Sequence, residues 1–193
     1  VTVTWDMSGL NPADFSKWYL NYSTGQNGPF SPVDSSVLIT DTIQLHIGAN
    51  AYNQSAYYFV TCQQTAGLPI LISDTVRAIG LNVVNPNNGY ANLAWNPDRI
   101  PLIATNDPYY HIIREYPAGV FTLIDSIDAR TSAIPMTYSD LISICDDTIK
   151  YKIEVMDQSG CVSSSPLKGD RFRDLQPPLR PTVDSVSVDA NGN

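Results

Sequence analysis

A short alternating segment that ends in tryptophan occurs twice in this chain. Val1-Thr-Val-Thr-Trp5 returns, altered, as Tyr90-Ala-Asn-Leu-Ala-Trp95. Both place apolar residues at every second position, the period of a strand with one buried face. Both are followed by polar turn residues and then by a second aromatic strand. Towards the other end, Asp184-Ser-Val-Ser-Val-Asp-Ala-Asn-Gly192 echoes Ile79-Gly-Leu-Asn-Val-Val-Asn-Pro-Asn-Asn-Gly89. Self-similarity at a period of about 100 residues predicts an array of small β-domains, of which this chain is a piece. Such repetition points to spacing and presentation more than to chemistry.

The length of 193 residues fits one large or two ordinary domains, and the repeat selects two. A hydrophobic fraction of 43% can build cores for both, and the low charged fraction of 16% suits an all-β protein with many turns. The net charge of -8, with Lys and Arg scattered singly, argues against nucleic acid and against an anionic membrane as partners. No run of 18 apolar residues predicts membrane insertion of this segment, and no signal peptide is visible. Because the chain opens within a strand, it reads as a fragment or mature segment. The odd count of 3 cysteines permits at most one internal bridge and favours export over a metal site.

Alternation predicts the inward rows. In residues 1–75 these are Val1, Val3 and Trp5; Trp18, Leu20 and Tyr22; a short strand at Val37-Leu-Ile39; Ile43, Leu45 and Ile47; Tyr58, Val60 and Cys62; a turn at Gly67; and a last strand near residues 68–72. In residues 76–175 they are Leu81 and Val83; Ala91, Leu93 and Trp95; Tyr110 and Ile112; a strand from Val120; a short strand closing at Tyr138; Tyr151, Ile153 and Val155; and a strand near Val162. The one helical candidate, Asn11-Pro-Ala-Asp-Phe-Ser-Lys-Trp18, is a single turn. Gln176-Pro-Pro-Leu-Arg-Pro181 reads as a stiff extended linker, and residues 184–193 as the first strand of a further module. The first unit, which starts at the counterpart of residue 91, is expected to lack its own first strand.

These rows resemble fibronectin type III domains. That family carries Trp at the end of its second strand, as Trp5 and Trp95 would be. Its third strand has an aromatic-x-aliphatic row, matched by Trp18-Tyr-Leu20 and Tyr110-His-Ile112. Its sixth has Tyr-x-aliphatic-x-aliphatic, matched by Tyr151-Lys-Ile-Glu-Val155, while in the first unit Cys62 takes the last aliphatic place. The resemblance implies tandem immunoglobulin-like β-sandwiches: residues 1–75 without a first strand, residues 76–175 complete, and 176–193 as linker and next first strand. In style, Tyr110-His-Ile-Ile-Arg-Glu115, Gly119-Val-Phe-Thr-Leu-Ile124, Pro135-Met-Thr-Tyr-Ser-Asp140 and the Cys145 to Cys161 stretch are similar to modules of large surface proteins exported by the bacterial type IX system, including gliding-motility adhesins. That resemblance implies an extracellular or cell-surface location. Those bacteria attach O-glycans at Asp-Ser/Thr followed by an aliphatic residue. The candidate acceptors here are Thr42, Thr75, Ser126, Thr148 and Ser185, each of which reads equally as a turn entering a strand.

Cys145 and Cys161 flank the Tyr151 strand and its following turn, and are expected to pair, with two free thiols as the alternative. Cys62, at an inward position, reads as a buried inert thiol or as a link to a segment outside the chain. His46 and His111 have outward parity in their strands, and no spacing supplies the convergent ligands of a metal site. No cofactor is expected, no catalytic motif occurs, and Gly169-Asp170-Arg171 is not the Arg-Gly-Asp order of receptor-binding modules. Tyr19, Tyr57 and Phe59 have outward parity on neighbouring strands, a candidate face for a sugar ring or a protein, or else a contact between domains. Taken together, the residues predict a non-enzymatic spacer and presentation segment whose partners are neighbouring modules of its own chain. A glycan- or protein-binding module, or an accessory region of a secreted hydrolase, are the rival readings.

Overall fold

The computed structural model describes residues 1–51, 54–65, 68–98, 107–130, 134–157 and 160–175. Two hydrophobic cores divide them. Around the first lie β1 (Thr2–Thr4), β2 (Phe15–Ser23), β3 (Ser31–Ser36), β4 (Ile43–Leu45), β5 (Tyr57–Gln64), β6 (Leu71–Ile72) and β7 (Val76–Arg77). Around the second lie β8 (Leu81–Val84), β9 (Tyr90–Trp95), β10 (Tyr109–Glu115), β11 (Phe121–Asp128), β12 (Met136–Leu141), β13 (Asp147–Met156), β14 (Val162–Ser164) and β15 (Lys168–Phe172). With 52% strand against 4% helix, the protein is all-β. The turn at Asn11 is a single 3-10 turn, Pro12–Asp14, started by Pro at its first position and by the Asn11 carboxamide accepting from the Ala13 N–H at 3.2 Å.

Pairing is antiparallel. In the second unit the order is β11-β10-β13, with β14 and β15 both bonded to β13 at its two ends. A three-stranded sheet, β12-β9-β8, faces it. In the first unit β3-β2-β5 carries β6 and β7 in the same manner, but the smaller sheet is the pair β1-β4. The two sheets of the second unit enclose Ala91, Leu93 and Trp95 on one side and Tyr110, Ile112, Tyr151, Ile153 and Val155 on the other, all at most 3% exposed. The period-2 alternation of long strands fixes which face goes inward, and each such burial is worth about 1.5–3 kcal/mol. Trp18, Leu20, Tyr58 and Val60 do the same in the first unit, with Cys62 at 5% exposure beside them.

Two expectations fail in the first unit. The strand expected at Val37–Ile39 lies earlier, at Ser31–Ser36, where it pairs with β2 in the register Trp18↔Ser36 and Leu20↔Asp34; Val37 and Leu38 are exposed. The row Ile43, Leu45 and Ile47 points outward, 62%, 57% and 88% exposed. The register explains this second error. Thr2 sits opposite Leu45 and Thr4 opposite Ile43, and directly opposed residues share a face. Since Val1, Val3 and Trp5 pack on the core, their partners must be the intervening polar residues. His46 is therefore turned inward, its Nδ1 2.9 Å from the Tyr58 hydroxyl and its ring edge-on to Tyr22 at 4.7 Å. Burial, with the amino-terminal charge adding to it, pushes the His46 pKa down. The turn at Gly67, the linker 176–181 and the strand 184–193 lie outside the described residues.

Candidate functional site

The two cores meet within one peptide bond. Ala78 packs on the first and Ile79, 4% exposed, belongs to the second. The path through this point is fixed on every side. The Arg77 N–H donates to the Asp98 carbonyl at 2.7 Å and the Ala78 N–H to the Ala56 carbonyl at 2.8 Å. Asn96, the residue after the strand-ending Trp95, closes a clamp: its Oδ1 accepts from the Gly80 N–H at 2.8 Å and its Nδ2 donates to the Ala78 carbonyl at 3.2 Å. A side chain on Gly80 would begin 3.0 Å from that Oδ1, so glycine permits the close approach. The Arg77 guanidinium donates to Ser55 Oγ at 2.7 Å and lies over the Tyr57 ring.

Beside this junction runs a groove of about 400 Å³ along the whole of β1. β7 forms its far wall, Tyr58 part of its floor, and residues 161–164 of the second unit close one end. An adjoining apolar depression of about 270 Å³ shares Trp5, Asp6 and Ser73 with it and extends to Cys62, Leu71 and Ile72. The counterpart space in the second unit is closed by β8, whose Leu81 is 2% exposed and which packs across to β15, where Asn85 Nδ2 donates to the Arg171 carbonyl at 2.7 Å. On the outer face of β4 and the 3-10 turn after it, the exposed Ile43, Leu45 and Ile47 form an apolar stripe.

The aromatic trio is where parity puts it. Tyr19, Tyr57 and Phe59 are half-buried on the outer face of the β2/β5 pair, with Tyr19 opposite Thr61 and Phe59 opposite Asn21. Each ring already has a neighbour. Phe30 packs edge-on to Phe59 at 4.8 Å, the Lys17 ammonium lies 4.8 Å from the Tyr19 ring centre, and Arg77 covers Tyr57. These contacts leave ring edges, more than open faces, for a ligand.

One constellation has no sequence signature. His111, facing outward on β10, holds Ser126 Oγ at 2.8 Å from Nδ1 and Asp107 Oδ2 at 2.8 Å from Nε2. In a Ser-His-Asp catalytic chain the imidazole takes the hydroxyl proton, and separate donors receive the developing oxyanion. Here Ser126 lies in mid-strand, opposite His111, and its own N–H donates to Asp125 at 2.7 Å. The trio forms a hydrogen-bonded chain across β10 and β11. Sequence parity could place His111 and Ser126 on one face, but their adjacency depends on the strand register.

The expected bridge is not formed: Cys145 and Cys161 are exposed free thiols. β13, ten residues long, separates them, and the chain turns back only after it, where the Asp157 N–H meets the Cys161 carbonyl at 2.9 Å. At about 3.3 Å per residue they sit roughly 30 Å or more apart, far beyond bonding range. Cys62 is buried, and burial pushes its thiol pKa up, as for an inert core cysteine. Of the candidate acceptors, Thr75 and Thr148 are exposed, Thr42 and Ser126 half-buried, and Ser185 lies outside the described residues. The motif's Asp folds onto the following N–H at Asp125–Ser126 and Asp147–Thr148, and Asp34 does so at Ser35, where no such motif stands. Among the described residues no cluster of His, Cys, Asp or Glu is placed to hold a metal, and no helix is long and apolar enough to cross a membrane. No protein-family model matches the chain, and no curated protein sequence matches it.

Proposed function

We propose that this chain is a non-enzymatic spacer and presentation segment: two fibronectin type III-like sandwiches held in fixed relation, part of an exported array on a bacterial cell surface. The observation that carries the mechanical half is the junction, where one core passes into the next between Ala78 and Ile79 under the Asn96 clamp. A linker of no slack transmits orientation, which is what distinguishes a spacer from beads on a string. The strand order supports the family reading. Trp95 ends the second strand of its unit, Tyr110 and Ile112 lie in the third, and Tyr151, Ile153 and Val155 lie in the sixth. The export half rests on the resemblance to type IX-secreted modules and on Thr75 and Thr148, which are exposed as glycan acceptors require.

The test is a distance distribution between fluorescent probes placed on β3 and β11, in the wild type, in Asn96→Ala and in a variant with six Gly/Ser residues inserted after Ala78. The expected wild-type distribution is narrow, broadening in Asn96→Ala and further in the insertion. Two units, each as long as the ten-residue β13, also predict a maximum dimension of about 70 Å or more in X-ray scattering. A wild-type distribution as broad as that of the insertion variant refutes the spacer. A glycan- or protein-binding role is the second reading, favoured by the shared outward face of Tyr19, Tyr57 and Phe59. Glycan-array binding abolished by Tyr19→Ala would establish it.

A further inference from the structure

β11 is the outermost strand of its sheet, and among the described residues no strand pairs with its far edge. The Tyr116 N–H donates to the Val120 carbonyl at 3.0 Å. Antiparallel alternation therefore turns the backbone groups of Val120 and Thr122 toward β10, and those of Phe121 and Leu123 to the open edge. The side chains along this stretch are apolar. Val120, Phe121 and Leu123 are 50%, 49% and 56% exposed, and Leu123 shares the outer face of the sheet with Ile113 opposite it. From Val120 to Ile124 the chain holds no charge and no proline. The matching edge of the first unit, β3, is blunted by Pro32, which has no N–H, and by the charge of Asp34.

We propose that residues 120–124 pair, antiparallel, with the same residues of a second copy of this chain, joining the two β11-β10-β13 sheets edge to edge. The second copy is the occupant because the segment is its own complement. With Thr122 on a two-fold axis, opposite the partner's Thr122, Phe121 lies opposite the partner's Leu123 and Leu123 opposite the partner's Phe121. These are the residues whose backbone groups face the open edge, so each pair exchanges both of its bonds. The same register sets Phe against Leu twice on one face and Thr against Thr on the other. A shift by one residue would set open groups against groups turned to β10. A shift toward Asp125 would cross the bulge at Ile112/Ile113 and bring carboxylates into the seam. The two copies repel, each carrying a net charge of -8, but no acid lies in residues 120–124, so the repulsion acts at a distance and salt screens it. Five residues a side bury well under the about 1,200 Å² of a stable interface, so the dissociation constant should be about 0.1–1 mM. The contact closes on itself, and the product is a dimer, not a fibre. The pairing needs neither the spacer nor the export reading.

The test compares the full chain with Leu123→Lys by sedimentation velocity up to about 1 mM, at low and high salt. Amide exchange at Phe121 and Leu123 is followed in parallel. The substituted side chain is 56% exposed, so near-wild-type circular dichroism is expected. The wild type should dimerise more tightly at high salt, with exchange at Phe121 and Leu123 slowing as concentration rises. Leu123→Lys should associate about tenfold more weakly or less, because it sets a charge against the partner's Phe121. Register is read by crosslinking in a Cys145→Ser/Cys161→Ser background. Under mild oxidation Thr122→Cys should link to itself across the axis, where paired Cα atoms stand about 4.5 Å apart, and Val120→Cys should not. Any of four results overturns the proposal: a wild type that stays monomeric at high salt; a monomer in which the Phe121 and Leu123 amides are protected, meaning that the edge is covered within the chain; association unchanged in Leu123→Lys, meaning that another surface, such as the Ile43/Leu45/Ile47 stripe, holds the copies together; or a dimer that links through position 120 and not through 122.

Discussion

Removing the carboxylate of Asp140 tests how the two sheets of the second unit are joined. Asp140, 8% exposed on β12, accepts from the Tyr151 hydroxyl at 2.8 Å and from Arg114 at 3.1 Å. Both donors come from the opposite sheet, β13 and β10, so a single carboxylate ties the layers across the core. Burial first, and then Asp140 itself, push Tyr151 ionisation far up, which keeps that hydroxyl a donor at any ordinary pH. In Asp140→Ala the Tyr151 hydroxyl, on a residue 0% exposed, loses its acceptor, at a cost of about 1–3 kcal/mol. Arg114 loses its counter-charge, but its side chain is 25% exposed, so solvent screening reduces that loss to about 0.5–1 kcal/mol. The sum, about 1.5–4 kcal/mol, corresponds to a fall in the unit's Tm of roughly 6–30 °C. Tyr151→Phe should cost about 1 kcal/mol, because Asp140 keeps Arg114. The double variant should cost less than the two singles added, since an orphaned hydroxyl no longer exists in it. Urea unfolding followed by Trp95 fluorescence in Trp5→Phe/Trp18→Phe background isolates the second unit. A loss below about 1 kcal/mol in Asp140→Ala, or strict additivity in the double variant, refutes the cross-layer tie.

Iodoacetamide should modify Cys145 and Cys161 in the native chain and Cys62 only after unfolding, and mild oxidation should yield no intramolecular 145–161 peptide; recovery of that peptide contradicts the extended β13 between them. His46 should make the first unit acid-sensitive. Its folded pKa lies below the ordinary 6.5, so the unfolded chain takes up a proton first, and stability held above 6.5 is lost as pH falls through the lower folded value. His46→Gln should flatten the unfolding midpoint between pH 7 and pH 5, and an unchanged slope rejects the assignment. Gly169→Ala should destabilise the second unit by about 2 kcal/mol or more, because an added Cβ would stand 2.0 Å from the Ile149 carbonyl oxygen and 2.6 Å from Lys150 Cα; a neutral result in thermal denaturation would mean that β15 can shift away from β13 freely.

The long strands were legible because each carries a full alternating row. Trp18 and Leu20, Tyr110 and Ile112, and Tyr151 through Val155 leave a single way to bury their apolar side. β4 was not legible. Three residues cannot fix parity, and Ile43, Leu45 and Ile47 give the stronger apolar pattern, yet the β1 register forces them out. The junction clamp escaped for another reason: Asn96 reads as a turn residue, and its role depends on Ala78 and Gly80 passing within hydrogen-bond reach of it. The cysteines were misjudged because the strand between them, β13, runs for ten residues before the chain turns, which carries Cys161 far from Cys145. His111, Ser126 and Asp107 meet through register and loop path together, which no local spacing encodes.

The same short motif thus ends in two physical states. Beside Trp95, β8 supplies the partner for one edge of β9 and the side chains that seal the core. Beside Trp5, the equivalent residues are half-buried, and the adjacent β4 turns its apolar row to solvent. The small sheet of the first unit is therefore packed less tightly than its counterpart β12-β9-β8, and the difference lies in the neighbours of the motif, not in its own apolar row.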